Sequence, residues 1–193
     1  MTSKEFLGTA SLMVGCVGYM RYIMAVLKSH SKPHAFSWII WTSVCAIVFV
    51  AQLSKNAGPG AWASGLGAAF CVTITVLALR RGEKRITLSD WLMFMGALAA
   101  IPLWIFTKDP LGSVILVTAI DGMGFYPTFR KSYIRPNEEA MSMYMLDSGK
   151  YVLAILAIES YSATTLIYPL FVVLSNSVFV MMLLWRRGVV KKA

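Results

Sequence analysis

Charge is scarce in this sequence, and acid is scarcer than base. Of 193 residues 14% are charged, with 18 Lys and Arg against 9 Asp and Glu, where a soluble domain carries about a quarter. Beside 58% apolar residues and a mean hydropathy of +0.66, that shortage excludes an ordinary water-soluble enzyme. Only three cysteines occur, Cys16, Cys45 and Cys71, all inside apolar runs and none in C-x-x-C spacing, which excludes a disulfide framework and a zinc site. The two histidines, His30 and His34, lack metal-ligand spacing and are expected to be solvated in a loop. There is no H-E-x-x-H, no G-x-S-x-G and no carboxylate-rich metal spacing. No enzyme activity, metal or cofactor is therefore expected.

Long apolar runs are what the chain does contain. Seven segments are long and apolar enough to span a bilayer: residues 6–27, 35–53, 61–79, 88–106, 111–126, 140–158 and 164–185; the fifth is short and is expected to continue past Pro127 as a bent helix. At about 20 residues per crossing, seven spans use about 140 residues and leave little outside the membrane. The first run is longer than a signal-peptide core and reads as a retained helix. The seventh contains no lysine, which excludes a retinal Schiff base. Alternate connections hold thirteen Lys and Arg (Lys28 and Lys32; Arg80, Arg81, Lys84 and Arg85; Arg130, Lys131 and Arg135; Arg186, Arg187, Lys191 and Lys192), and the opposite set holds three, Lys4, Lys55 and Lys108. By the positive-inside rule the amino terminus is outside, the carboxyl terminus is cytoplasmic, and a bacterial inner membrane is the expected location. Basic residues in short loops at the headgroups, rather than gathered on a folded face, give no nucleic-acid partner.

Self-comparison reveals a repeat. The run LALRRGEKR at the end of the third segment matches LLWRRGVVKK at the end of the seventh, with Arg80 on Arg186, an offset of 106. At the same offset Val17 to Met20 (VGYM) matches Met123 to Tyr126 (MGFY), and between them Ala35 and Ser37 fall on Ala140 and Ser142 at an offset of 105. Segments one to three thus correspond to five to seven, and a lone fourth segment makes the triplets parallel. The expected fold class is an all-α membrane protein: seven transmembrane helices as two parallel three-helix repeats (1–86 and 108–193) joined by a linker helix (87–107).

This three, one, three arrangement resembles the SWEET sugar transporters and the wider PQ-loop clan, including the Pnu-type vitamin transporters. The stretch YPTFRKSYIRPNEEAMS carries the likeness, with Pro127 at the clan's hinge position and Ser142 at its helix-opening serine. Thr128 replaces the usual glutamine, and Arg21 and Tyr22 stand where the first half would have proline and glutamine. SWIIW, Ser37 to Trp41, resembles the tryptophan-x-x-tryptophan element of the Pnu-type proteins, and Asn176 matches the pocket asparagine of SWEET transporters, with Phe70 as its repeat partner. The resemblance implies a transporter in which the two triplets alternate access to a central pocket for a sugar- or vitamin-like solute.

The residues themselves point to the same layer. Arg21, Asp121, Asp147 and Lys150 are the ionisable groups inside the spans, and such groups cost about 2.5 to 3.5 kcal/mol unless they face a partner or a cavity. Arg21, near a helix end, is expected to snorkel to the headgroups. From the rise per residue, Asp147 and Lys150 lie about 10 and 15 Å from the cytoplasmic start of their helix, and Asp121 about 9 Å from the cytoplasmic end of its own, giving one shared charged layer. Asp147, Lys150 and Tyr151 share a face, opposite a face of Trp38, Trp41, Thr42 and Cys45. Substrate binding is expected from Trp38, Trp41, Thr42, Asp121, Asp147, Lys150, Tyr151 and Asn176, with aromatic stacking on one wall and hydrogen bonding on the other. Two plainer readings stand beside this one: the charged cluster as a buried network fixing helix register, and Trp38 and Trp41 as part of an interfacial aromatic belt. Gly60, Ser64, Gly65, Gly67, Ala68 and Ala69 read as a close-packing face; Pro102, Pro127 and Pro169 mark bends. Expected partners are a small-molecule substrate and membrane lipids, with room for a homo-oligomer; the alternative function is a non-transporting seven-helix receptor or accessory subunit.

Overall fold

The structure, a computed structural model, describes residues 1–106 and 109–190, except the side chains of residues 100–106. Lys108, Lys191, Lys192 and the side chain of Pro102 lie outside the described residues. Seven helices follow one another with no strand among the described residues: α1 (Ser3–Leu27), α2 (Ala35–Ser54), α3 (Trp62–Arg81), α4 (Leu88–Phe106), α5 (Pro110–Ile134), α6 (Met141–Ala157) and α7 (Ala163–Val190). Five of them, α1, α2, α3 with its leading turn, α5 and α7, are long and apolar enough to cross a membrane; α6 is 17 residues long and carries Asp147 and Lys150.

Local chemistry sets the boundaries. Thr2 caps α1 by accepting the Glu5 N–H at 3.1 Å while the Glu5 carboxylate accepts the Thr2 N–H at 2.7 Å, a reciprocal capping box. Asp109 caps α5, accepting from the Leu111 and Gly112 N–H groups, and Pro110 occupies the first turn, where its missing donor costs nothing. A single 3-10 turn, Gly58–Ala61, leads into α3, and Gly82 ends that helix. α5 runs on through Pro127 to Ile134, as expected, and α7 passes Pro169 in the same way. A proline inside a helix frees the carbonyl one turn back, so each is a weak point in an otherwise continuous rod.

Packing is selective. α1 lies against α3 and α6, α2 against α3 and α5, and α7 against α5 and α6; α4 covers the outside of α5 and touches α2. The backbones of α1 and α2 stay apart, as do those of α5 and α6, although each pair is joined by a short connection; they meet through long side chains, Tyr22 against Trp38 with ring centres 5.0 Å apart and Phe125 against Tyr144 at 6.1 Å. The close approaches fall at small residues. A methyl at Gly18 would sit 3.1 Å from Leu146 Cβ, and one at Gly124 would sit 2.9 Å from Ile40 Cγ2. Small residues at such seams let helices come together where no hydrophobic effect drives them. In α3, Gly65 meets Phe49 and Gly67 meets Cys45 and Tyr19, whereas Ala69, expected on the same close-packing face, is exposed. Outward positions are apolar on every helix, for example Met13, Val50, Val72, Leu92, Ile115, Val152 and Leu174; a surface of this kind suits hydrocarbon rather than water.

The connections 28–34, 82–87 and 135–140 gather at one end of the bundle, and 55–61 and 158–162 at the other. The first end is the basic rim. His34, expected to be solvated, is instead completely buried there, with Nε2 3.4 Å from Asp90 Oδ2. The extended residue at the start of α2 tucks its imidazole under α4, and burial pushes its pKa below the ordinary value against the upward pull of Asp90. His30 is exposed, as is Arg21.

Candidate functional site

The two α-helical faces singled out by spacing converge on a central cavity of about 50 Å³. α2 contributes Trp38, Trp41 and Cys45, three positions on one face at i, i+3 and i+7, and α6 contributes Tyr144, Asp147 and Tyr151 in the same register. Asp121 and Phe125 enter from α5, Tyr168 and Asn176 from α7, Tyr19 from α1 and Cys71 from α3.

Polar groups at the cavity form two clusters, one around Asp147 of α6 and one around Asp121 of α5, and α7 contributes to both. In one, Lys150 Nζ lies 2.6 Å from Asp147 Oδ1 and donates to Tyr19 Oη at 3.0 Å. The same ammonium sits 4.2 Å from the ring centre of Tyr151 and 4.9 Å from that of Tyr19, close enough for both rings to stabilise it. Asn176 Nδ2 donates to the second oxygen of Asp147 at 3.0 Å. Lys150 is wholly buried behind Asp147, and Ser11 of α1 donates to its backbone carbonyl at 2.8 Å. In the other cluster Tyr168 donates to Asp121 Oδ1 at 3.3 Å, and its hydroxyl lies 3.6 Å from Cys45 Sγ. Among the described residues no cation lies within ion-pairing distance of Asp121. The expected charged layer thus separates into a saturated pair and a carboxylate held by tyrosine alone.

The aromatic wall is continuous. Trp38 and Trp41 meet edge to face with ring centres 5.1 Å apart, and Trp41 lies 5.2 Å from Phe125. Trp38 is 2% exposed, so it is not an interfacial belt residue, and among the described residues its indole N–H has no hydrogen-bond partner. Thr42 does not line the cavity. Its hydroxyl donates to Trp38 O at 2.8 Å and meets Thr75 Oγ1 at 3.3 Å, at the seam of α2 and α3. Its place one residue past Trp41, a rotation of about 100°, turns it away from the cavity-facing side. Pro127 is buried, and the next residue, Thr128, donates to Ser37 Oγ at the start of α2 over 2.9 Å.

Tyr19, Tyr144 and Tyr168 were not among the expected binding residues. Each is a polar-tipped aromatic inside an apolar helix, and Tyr168 lies two turns before Asn176 on the same face. That spacing was the available signal.

The connections are fastened at both ends of the bundle, by different chemistry. At the basic rim Lys32 pairs with Glu138 at 2.9 Å, Lys131 with Glu139 at 2.5 Å, and Arg135 with both Glu83 and Glu138. Ser31 donates to Glu139 at 3.1 Å, and Arg130 holds Asp90 through two nitrogens at 2.6 and 2.9 Å. Burial pushes the Glu83 carboxyl up, but the Arg85 N–H and the Arg135 guanidinium outweigh it and hold it below the ordinary carboxylate range. At the opposite rim the Glu159 N–H donates to Ala57 O at 3.2 Å, and a methyl at Gly60 would sit 2.6 Å from Ile158 Cγ1. No protein-family model, curated protein or solved structure matches the sequence.

Proposed function

We propose that the protein is a small-solute membrane transporter in which α1–α3 and α5–α7 alternate access to the central cavity. The observation that carries this reading is the position of the cavity: it lies on the seam between the two sets and takes polar groups from both, Tyr19 and Cys45 from one, Asp121, Asp147 and Asn176 from the other. The packing supports treating the sets as repeats, because exchanging α1, α2 and α3 with α5, α6 and α7 leaves every packed pair among these six helices in place. Gly18 and Gly124, matched in the sequence alignment of the halves, make equivalent approaches, α1 to α6 and α5 to α2. Parallel repeats related by an axis along the membrane normal are a common transporter plan. The resemblance to the SWEET and PQ-loop proteins points the same way and suggests a sugar- or vitamin-like substrate, with the basic rim cytoplasmic.

A cavity of about 50 Å³ holds about three or four waters, whereas a drug-sized ligand occupies about 300 to 1,000 Å³. In this reading the structure is the occluded form, and substrate enters when one rim opens, with Pro127 as the hinge of α5. The small cavity also favours a second reading, a non-transporting membrane subunit whose polar layer fixes helix register.

Native cysteines discriminate between them. In a Cys16→Ser background reconstituted in vesicles, a transporter exposes Cys45 or Cys71 to a membrane-impermeant maleimide from each side in turn, and it takes up a member of a panel of sugars, nucleosides and vitamins. Asp147→Asn and Asn176→Ala then abolish that uptake. Absence of uptake for every class, with neither cysteine labelled from either side, overturns the transporter reading.

A further inference from the structure

We infer that the basic rim contains a binding cleft for a phosphate-bearing anion, built by the connection between α3 and α4 against that between α5 and α6. The cleft has a volume of about 480 Å³ and is lined by six cations, Lys32, Arg80, Arg81, Lys84, Arg85 and Arg135, against two carboxylates, Glu83 and Glu138. Its size is that of a small-molecule site.

Both carboxylates are already committed. Glu138 accepts from Lys32 and Arg135, each at 2.9 Å, and Glu83 accepts from Arg135 and from the Arg85 N–H at 2.6 Å. Four cations are left over. Among the described residues Arg80, Arg81, Lys84 and Arg85 have no carboxylate within ion-pairing distance. Among the described residues Arg81 donates once, to Leu27 O at 2.9 Å, Lys84 donates once, to Leu79 O at 3.0 Å, and the Arg80 and Arg85 guanidinium groups make no hydrogen bond. Planar forks of this kind match phosphate oxygens two at a time.

Topology alone does not explain the cleft. The same R-R-G run recurs at the end of α7, where positive-inside placement applies equally, yet there the arginines are used within the chain. Arg187 donates to Pro136 O at 3.0 Å and Glu139 O at 2.6 Å, and Arg186 donates to Tyr133 O at 2.8 Å while stacking 4.3 Å from that ring. In the first copy Arg81 makes the bond corresponding to that of Arg186, to Leu27 O, while among the described residues Arg80 is left unspent beside a concavity. Its floor is rigid as well: the Glu83 N–H donates to Pro33 O at 2.9 Å, and Gly82 lies so close to the carbonyls of Ala78 and Pro33 that a Cβ has no room. Arg135, paired with Glu83 and Glu138, reaches the cleft from the other helical set, so the cleft has walls from both.

The ligand has two sources, a lipid headgroup, since this rim belongs at headgroup depth, or a free phosphate ester. The site does not depend on the transporter reading. The test uses the full chain, delipidated in detergent, with pyrophosphate titrated at constant ionic strength in a thermal-shift assay, and with phosphatidylglycerol or phosphatidylcholine added in parallel and retention read by native mass spectrometry. Stabilisation by pyrophosphate without lipid retention assigns a free phosphate; selective retention of phosphatidylglycerol assigns a headgroup. In either arm the double variant Arg80→Gln, Arg85→Gln binds about tenfold more weakly, the exposed Lys84→Gln variant shows a smaller loss, and Arg186→Gln binds as the parent does. No response to either probe, or an equal loss in Arg186→Gln, overturns the proposal.

Discussion

The two rims of the bundle are fastened with opposite chemistry. At the basic rim the connections 28–34, 82–87 and 135–140 are fastened by charge: Lys131 and Glu139 are both fully buried, and Arg135 bridges Glu83 and Glu138. At the opposite rim there is no ion pair among the described residues; Gly8 lies against Pro59, Gly60 against Ile158, and Lys4 donates to Leu156 O at 2.7 Å. A charged closure can exchange its partners for water or for another ion, while a glycine-packed closure must separate surfaces that fit. The difference implies that the basic rim responds to pH, salt and anions, and that the opposite rim responds to side-chain volume.

The largest effect should come from breaking a buried pair. Lys131→Met leaves Glu139 charged and without its cation and is expected to cost about 3 to 5 kcal/mol of folding stability. Denaturant titration in detergent measures it, and adding Glu139→Leu should recover much of the loss. At the other rim Gly60→Ala inserts a methyl into Ile158 and is expected to cost about 1 to 3 kcal/mol, relieved in part by Ile158→Ala. Equal sensitivity of Gly60→Ala and wild type to added salt would sharpen the contrast, since no charge is involved.

Acid should loosen only the charged rim. His34 binds its proton more weakly in the folded chain than in the unfolded one. Its contribution to stability is therefore complete above about pH 6.5, the ordinary histidine value, and is lost as pH falls toward the lower folded value. Glu83 is depressed too, but its contribution is present above about pH 4.3 and fades only below that. Between pH 7.5 and 5.5 the melting temperature should drop, and by less in His34→Gln than in wild type. The smallest effect belongs to Lys32→Ala, whose pair with Glu138 is 44% and 28% exposed; such a pair is worth about 0 to 1 kcal/mol and should vanish in high salt.

Much of this was legible before any tertiary structure. Each of the seven expected segments has a helix at its place; α5 continues past Pro127 as expected, and α7 runs five residues beyond the expected end at Trp185 because its basic last turn stays helical. The faces of Trp38, Trp41 and Cys45 and of Asp147 and Tyr151 follow from the helical repeat, which is a property of one segment. Thr42 was assigned to the wrong side because it is one residue past Trp41, a rotation of about 100°, and the loop position of His34 gave no sign that α4 would cover it.

Composition and order alone determined that the chain is helical, apolar on its outside and basic at one rim, because hydropathy, periodicity and charge placement are local. Only the tertiary structure decided who meets whom. Tyr19 reaches Lys150 across 131 positions of sequence, Tyr168 reaches Asp121 across 47, and Arg135 reaches Glu83 across 52. Those partners depend on how far each helix slides and rotates against its neighbour, and that is set where backbones touch, at Gly18 and Gly124, not by any single helix.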